Sequence, residues 1–362
     1  MPYWTGLRGT YARTNTDWLG RDRRAMSAEN SDLGEFELIR RFFLRRDAAR
    51  DARSGVVLGI GDDAALLSLP PDTELVAAVD TLVAGRHFPE STDARSIGHR
   101  ALAVNLSDMA AMGATPAWAT LSLTMPRADA NWLERFSSGL WDLADASGVV
   151  LVGGDTTRGP LTLSVQILGH VPRGMAMRRS GAQAGDVLAV TGTLGDAGAG
   201  LAFVTAASAT PSLAVLELIR RFDFPVPRVR FGVAARGIAT AAMDLSDGLT
   251  GDLNKFAQAS GLAAHVEIER LPLSDALRAA AAPEQARDWA LSAGDDYELL
   301  LAVPASRFGE LNDAARRLNL RLSSIGELRA GGGVTWSLNG KDFTPRSSGF
   351  DHFGRASTQI TV

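Results

Sequence analysis

The sequence predicts an α/β fold with mixed sheets, and three observations carry that expectation. Short apolar runs alternate with longer stretches whose apolar residues recur at helical spacing. Several of the apolar runs meet glycine and aspartate, as at Gly61-Asp62-Asp63, Gly153-Gly154-Asp155 and Gly294-Asp295-Asp296. The chain has 362 residues, 46% hydrophobic and 22% charged, which is enough apolar side chain for two or three globular domains.

Composition narrows the chemistry. A net charge of −4 leaves no broad basic field for nucleic acid or a membrane surface. No apolar run approaches the roughly 18 residues that a membrane helix needs. Cysteine is absent, which excludes disulfides, thiolate metal sites and cysteine nucleophiles, and fits a reducing, cytoplasmic setting. Lysine stands only at Lys255 and Lys341, while arginine is abundant. Neither lysine follows a Gly-x-x-x-x-Gly pattern, and the protein-kinase motif set is missing. Phosphate chemistry in this chain must therefore rest on metals and arginine.

Taken in order, residues 1–33 place Arg8, Arg13, Arg21, Arg23 and Arg24 among Thr, Asn and Gly with little periodicity. They read as a disordered extension rather than a secretory signal, with Met26 as an alternative start. Phe36, Ile39, Phe42 and Phe43, with glutamates before and arginines after, predict a helix over 34–46. A strand over 56–60 leads to Asp62 and Asp63, and a second over 75–79 ends at Asp80-Thr81. A helix over 97–112 is capped by Ser96 and closed by Gly113, and puts Asn105 and Asp108 on one face. Near the C-terminus of that helix the dipole disfavours a carboxylate by roughly 0.3–1 kcal/mol. The small, apolar flanks of Asp108 argue against a free surface acid, so a cation is expected there. A strand over 118–124 and an amphipathic helix over 131–147, whose aromatics read as core, follow. The run 149–152 then leads into a tight turn holding Asp155, Thr156, Thr157 and Arg158. An acid, two hydroxyls and a cation suit a metal-bridged phosphate, and a merely polar turn is the alternative.

After a strand over 161–171, residues 172–185 read as a crossing into a second unit. There a strand over 186–191 meets a Gly-rich turn and a small-residue helix, a weak phosphate-loop signal. Residues 206–212 read as a loop, and Pro225-Val226-Pro227-Arg228 as a stiff segment in which Arg228 is able to face an anion. Asp244, Ser246 and Asp247 fall where a short strand meets a helix; an N-cap explains one of them but not both aspartates. An acidic turn precedes a strand over 299–303, a helix spans 307–318, and Asn339-Gly340 marks a hairpin.

Asp62, Asp63, Asp80, Asp108, Asp155, Asp244, Asp247 and Asp295 thus collect at element ends. Converging carboxylates repel by about 4 kcal/mol per pair at ~4 Å and an effective dielectric of about 20. Such a cluster demands hard divalent cations, Mg²⁺ or Mn²⁺ rather than zinc. Several such ions imply a polyanionic ligand set, a nucleoside triphosphate with a second phosphate. A phosphate nucleophile needs no general base, because its second pKa is about 6.

The ordered motifs Gly59-Ile60-Gly61-Asp62-Asp63, Asp80-Thr81-Leu82-Val83-Ala84-Gly85-Arg86-His87-Phe88, Asn105-Leu106-Ser107-Asp108, Gly153 to Gly159, Asp244-Leu245-Ser246-Asp247-Gly248 and Gly349-Phe350-Asp351-His352-Phe353 carry a resemblance. The chain resembles thiamine-monophosphate kinases of the aminoimidazole-ribonucleotide synthetase superfamily. The resemblance implies two α/β domains with mixed sheets, an N-terminal ATP- and Mg-binding and dimerisation domain over 34–172 and a C-terminal domain over 173–353, with a tail over 354–362. It implies a homodimer formed through the N-terminal sheets, and transfer of the ATP γ-phosphate to thiamine phosphate with no dedicated catalytic base. By position, Asp63, Asp80, Asp108, Asp155, Asp244 and Asp247 would hold several magnesium ions. Gly154, Asp155, Arg179 and Ser246 would contact ATP, and His87, Asp295 and Phe350 the thiamine phosphate. Two departures stand out: Ala78 and Val79 where the family has Ser-Thr, and Asp295 where it has Glu. The alternatives are a Mg-nucleotide or thiamine-phosphate binding protein without turnover, and another ATP-dependent enzyme of the superfamily. The lack of cysteine argues against its carbamoyl-dehydrating and selenophosphate-forming members.

Overall fold

The computed structural model describes residues 34–45, 54–206, 210–347 and 349. The predicted extension over 1–33 and the tail over 354–362 lie outside these residues. The first helix, α1 (Glu35–Leu38), continues into a π-helical turn over Ile39–Phe43 that buries Phe42 and Phe43. A small antiparallel ladder of β1 (Val56–Leu58) and β2 (Leu66–Leu67) follows, its base held by the Trp118 indole N–H on the Ser54 carbonyl at 2.8 Å.

The next elements are β3 (Thr73–Val83), α2 (Ala94–Ala111), β4 (Thr115–Met125), α3 (Ala130–Ser147), β5 (Val150–Arg158) and β6 (Thr162–Pro172). The strands order as β3-β6-β4-β5, antiparallel except for the β4/β5 pair, which α3 connects. Val76, Leu82, Leu121, Leu123, Leu163, Val165 and Ile167 alternate onto one buried face. Leu75 and Val79 point the other way and are 53% and 62% exposed.

Two expected turns are strand instead. β3 runs on through Asp80, and β5 through Gly153-Gly154-Asp155, because β6 and β4 present unbroken ladders opposite them. Asp80 and Asp155 are therefore mid-strand. A register shift at Ala119/Thr120 keeps β5 in pairing. Gly154 is required there: its φ is +149°, and a Cβ would fall 1.9 Å from the Leu121 carbonyl oxygen.

Helix α2 also differs at its start. Asp93, not Ser96, is the N-cap, accepting from the Arg95 N–H at 2.9 Å. Ser96 lies inside the first turn and donates to the Asp223 carbonyl. The helix is buried on almost every side, as an apolar, small-residue sequence without a polar face must be. Gly98 and Gly139 let it approach α3: a Cβ on Gly98 would sit 2.0 Å from the Phe136 oxygen, and one on Gly139 1.9 Å from the Arg95 oxygen.

The second unit comprises β7 (Asp186–Thr191), α4 (Asp196–Thr205), α5 (Leu213–Asp223), α6 (Val229–Ala235), β8 (Ala241–Leu245), α7 (Leu249–Ala259), β9 (Leu262–Glu267), α8 (Asp275–Ala280), α9 (Pro283–Ser292), β10 (Glu298–Pro304), α10 (Phe308–Arg317), β11 (Leu322–Ala330), β12 (Gly333–Leu338) and β13 (Lys341–Phe343). Its sheet orders as β13-β12-β9-β11-β7-β10-β8 and is antiparallel except for β12/β9. One face packs on α7 through Leu253, Phe256 and Leu300; the other meets α6 and α10 through Phe231, Leu299 and Leu311. The β12/β13 hairpin turns at Asn339-Gly340 with φ of +52° and +73°, as the sequence predicted. Arg228 faces an internal anion, pairing with the buried Glu298. Among the described residues no helix is long and apolar enough to cross a membrane.

Candidate active site

The C-terminal half of α2 meets the end of β8, and acidic groups from both units gather there. Ser107 donates to Asp244 Oδ2 at 2.9 Å. Asn105 accepts the Asp80 N–H at 3.1 Å and donates its amide to the Ala101 carbonyl at 3.0 Å, so β3 is pinned to the same helix. Burial pushes the Asp108 carboxyl up to about 7, aided by the charges of Asp244 and Asp80 and opposed by Arg179. Burial likewise raises Asp80, with Asp247 adding to it. It raises Asp244 too, where the Ser107 hydroxyl works against the shift and Asp80 adds to it. Arg179 reaches this cluster because the segment before β7 threads between the units. Met177 N–H donates to Met112 O at 3.1 Å, and Ala242 N–H to Arg178 O at 2.9 Å.

The turn from β8 into α7 is organised by Asp252, which sequence reasoning missed. Its Oδ2 accepts the N–H groups of Ser246 at 3.1 Å and Asp247 at 3.0 Å, and the N-cap of α7 is Gly248 rather than an acid or a serine. Burial raises its carboxyl to about 6. Lys255 bridges Asp247 Oδ2 at 2.6 Å and Asp252 Oδ1 at 3.2 Å. The Asp252/Lys255 spacing was the available signal.

The loop before β10 crosses this turn. Asp295 N–H donates to Ser246 O and Tyr297 N–H to Leu245 O, both at 2.9 Å. Asp295 and Tyr297 adopt φ of +61° and +49°, conformations that cost an ordinary side chain and survive only where surroundings enforce them. Asp295 Oδ1 accepts from Arg100 Nη2 at 3.0 Å and from the Tyr297 hydroxyl at 3.1 Å. Arg100 was also missed; its signal was an arginine followed directly by the small and apolar run Ala101-Leu102-Ala103-Val104. His87 follows β3 and accepts the Val83 N–H at Nδ1, 3.0 Å away, so its neutral form carries the proton on Nε2.

Families described as AIR synthase related protein match the chain twice, the N-terminal domain at residues 61–171 and the C-terminal domain at 183–338. Thiamine-monophosphate kinase of Escherichia coli (strain K12) is 47% identical over 322 residues, covering 88% of this chain and 98% of that one. The chain belongs to the thiamine-monophosphate kinase family. The crystal structure of thiamine-monophosphate kinase from Stenotrophomonas maltophilia K279a matches with a TM-score of 0.78 and 46% identity, covering 85% of this chain and 98% of that chain. AaThiL complexed with AMPPCP and TMP matches with a TM-score of 0.70 and 32% identity, covering 79% and 89%. The expected two-part, aminoimidazole-ribonucleotide-synthetase-like fold with mixed sheets is the fold found.

Not every position suggested by the kinase family's motifs meets within one chain. Asp80, Asp108, Asp244 and Asp247 do, with Arg179 and Ser246 beside them. Asp155 does not. It shares a ladder row with Ser122, Ser164 and Thr81 on the outer sheet face, whereas Asp80 shares one with Val165, Leu121 and Gly154 on the inner face. Three strand spacings, roughly 14 Å, separate β3 from β5. Asp63 lies on the exposed loop between β1 and β2, its N–H held by Asp62 Oδ1 at 2.8 Å. Phe350 lies outside the described residues.

The donor set fits magnesium by its chemistry. The donors are carboxylate oxygens, and among the described residues no lysine or arginine forms an ion pair with Asp80, Asp108 or Asp244. No three acidic or imidazole groups of the described residues close on one point. Mg²⁺ bound there would take one or two of these carboxylates at a time and complete its shell with phosphate oxygens and water.

Proposed function

We propose that the chain transfers the γ-phosphate of ATP to thiamine phosphate, yielding thiamine diphosphate and ADP. The observation that carries this reading is the unneutralised group of Asp80, Asp108 and Asp244 across the α2/β8 contact, with the Arg179 guanidinium nearby. A phosphate oxygen of thiamine phosphate attacks the γ-phosphorus, and the bond to the β,γ-bridging oxygen breaks. The nucleophile is already ionised near neutral pH, so no base is required. The obstacles are repulsion and alignment.

Bound magnesium would neutralise the phosphates and the charge that develops on the leaving oxygen. Asp80, Asp108, Asp244 and Asp247 would share several such ions, with Asp63 and, from a second copy, Asp155 as further ligands. Arg179 would steady the triphosphate, with Ser246, Gly154 and Asp155 completing the ATP contacts. His87, Asp295 and Phe350 would border the thiamine phosphate.

A homodimer through the outer face of the four-stranded sheet is part of the same proposal. Leu75 and Val79 are left in water on that face, and Asp155 points out from it. A second copy docked there would cover the apolar residues and carry its own Asp155 toward the first chain. A cytoplasmic location also belongs to this proposal, because the reaction consumes ATP.

The test is incubation of the purified chain with ATP, Mg²⁺ and thiamine phosphate, followed by chromatography for thiamine diphosphate. Product that depends on Mg²⁺ is expected. Binding of both substrates without product would favour the binding-protein alternative.

A further inference from the structure

Arg100 rises from the middle of α2, and its side chain is 1% exposed where that of Asp295 is 26% exposed. Burying a guanidinium so completely is costly unless a carboxylate and hydrogen bonds answer it. Nη1 donates to the Phe222 carbonyl, the guanidinium carbon lies 4.4 Å from the Phe222 ring centroid, and Nη2 donates to Asp295 Oδ1. The Tyr297 hydroxyl donates to the same oxygen. Among the described residues nothing donates to Asp295 Oδ2. One oxygen of the carboxylate thus takes two donors, while the other takes none from the described residues and the side chain stays 26% exposed.

We infer that Arg100 is a positioning residue for substrate recognition: reaching from the N-terminal unit, it fixes the Asp295 carboxylate so that Oδ2 meets a hydrogen-bond donor of the thiamine phosphate ring system. This rests on the reading of Asp295 as a substrate contact. The pairing has a chemical consequence. With Oδ1 held by a guanidinium, Asp295 offers little net charge to a cationic ring and discriminates by the direction of a hydrogen bond. Arg100 also shares α2 with Ser107 and Asp108, so one helix aligns the substrate carboxylate with the acidic cluster. A lysine has a point charge in place of the fork and is unable to hold Phe222 O and Asp295 in the same geometry.

The experiment compares Arg100→Met, Arg100→Lys, Asp295→Asn and the double variant Arg100→Met/Asp295→Asn by calorimetric titration with thiamine phosphate and, separately, with ATP. Arg100→Met is expected to weaken thiamine phosphate about tenfold or more while ATP moves less than about twofold, with Arg100→Lys between wild type and Met. The double variant should be no weaker than its weaker single, since both act through one contact. Parallel losses for the two ligands, multiplying effects in the double variant, or an Arg100→Lys protein with wild-type affinity would overturn the inference. Thermal melts check folding; if Arg100→Met does not fold, Arg100→Lys and Asp295→Asn carry the same comparison. Turnover by the wild-type chain is read separately, so a failed kinase assay sinks the proposed reaction without deciding the role of Arg100.

Discussion

Asp108 combines burial, two neighbouring carboxylates and the carbonyl end of a helix, all of which oppose its charge. Its carboxyl stands at about 7 instead of 3.8. Between those values the folded protein keeps a proton that the unfolded chain has released, so stability falls as pH rises through that window. Asp80, Asp244 and Asp252 shift the same way. The metal-free protein should therefore melt at a lower temperature at pH 8 than at pH 5.5, and Mg²⁺ with ATP should narrow the gap. A flat Tm over that range would contradict it. Asp244→Asn, which leaves the Ser107 contact available, should cut turnover at least ~100-fold by removing a proposed ligand of the magnesium that would offset transition-state charge. A near-normal rate would refute its assignment. The acids at Asp80, Asp108, Asp244 and Asp247 were legible because short motifs hold them. Asp252 and Arg100 were not, since their significance comes from partners that the fold brings together.

At the scale of elements, legibility followed periodicity. Helices α2 and α3 and the β12/β13 hairpin stood out through spacing and turn chemistry. The extents of β3 and β5 did not, because an aspartate or a glycine pair reads as a stop until a long neighbouring strand continues the ladder. The close approach of α2 and α3 was equally hidden, although it rests on two glycines. Gly98→Ala would drive a methyl group against the Phe136 carbonyl. The gain in helix propensity is smaller than the cost of overpacking, so a net loss of about 1–3 kcal/mol is expected. Urea denaturation would measure it, and an unchanged midpoint would show that the helices separate freely.

For the whole molecule, α2 is the piece both units share: it packs on α3 and the first sheet, and on α6 and β8 of the second unit. The site therefore depends on how the units sit together as much as on either alone. The outer sheet face is the other large-scale feature. Val79→Arg would put a charge in the middle of the proposed contact between copies. Sedimentation should then report a monomer, and turnover should fall if Asp155 serves the neighbouring copy; an intact dimer would move the interface elsewhere. Lys255 offers a more practical consequence. Its side chain is half exposed and its ammonium is tied to Asp247 and Asp252, and the sequence has one other lysine, Lys341. Acylation by an amine-directed reagent, read by peptide mass mapping, would then act as a site-specific tracer. Protection or unmasking of Lys255 on adding nucleotide would report occupancy directly, with Lys341 as the internal standard.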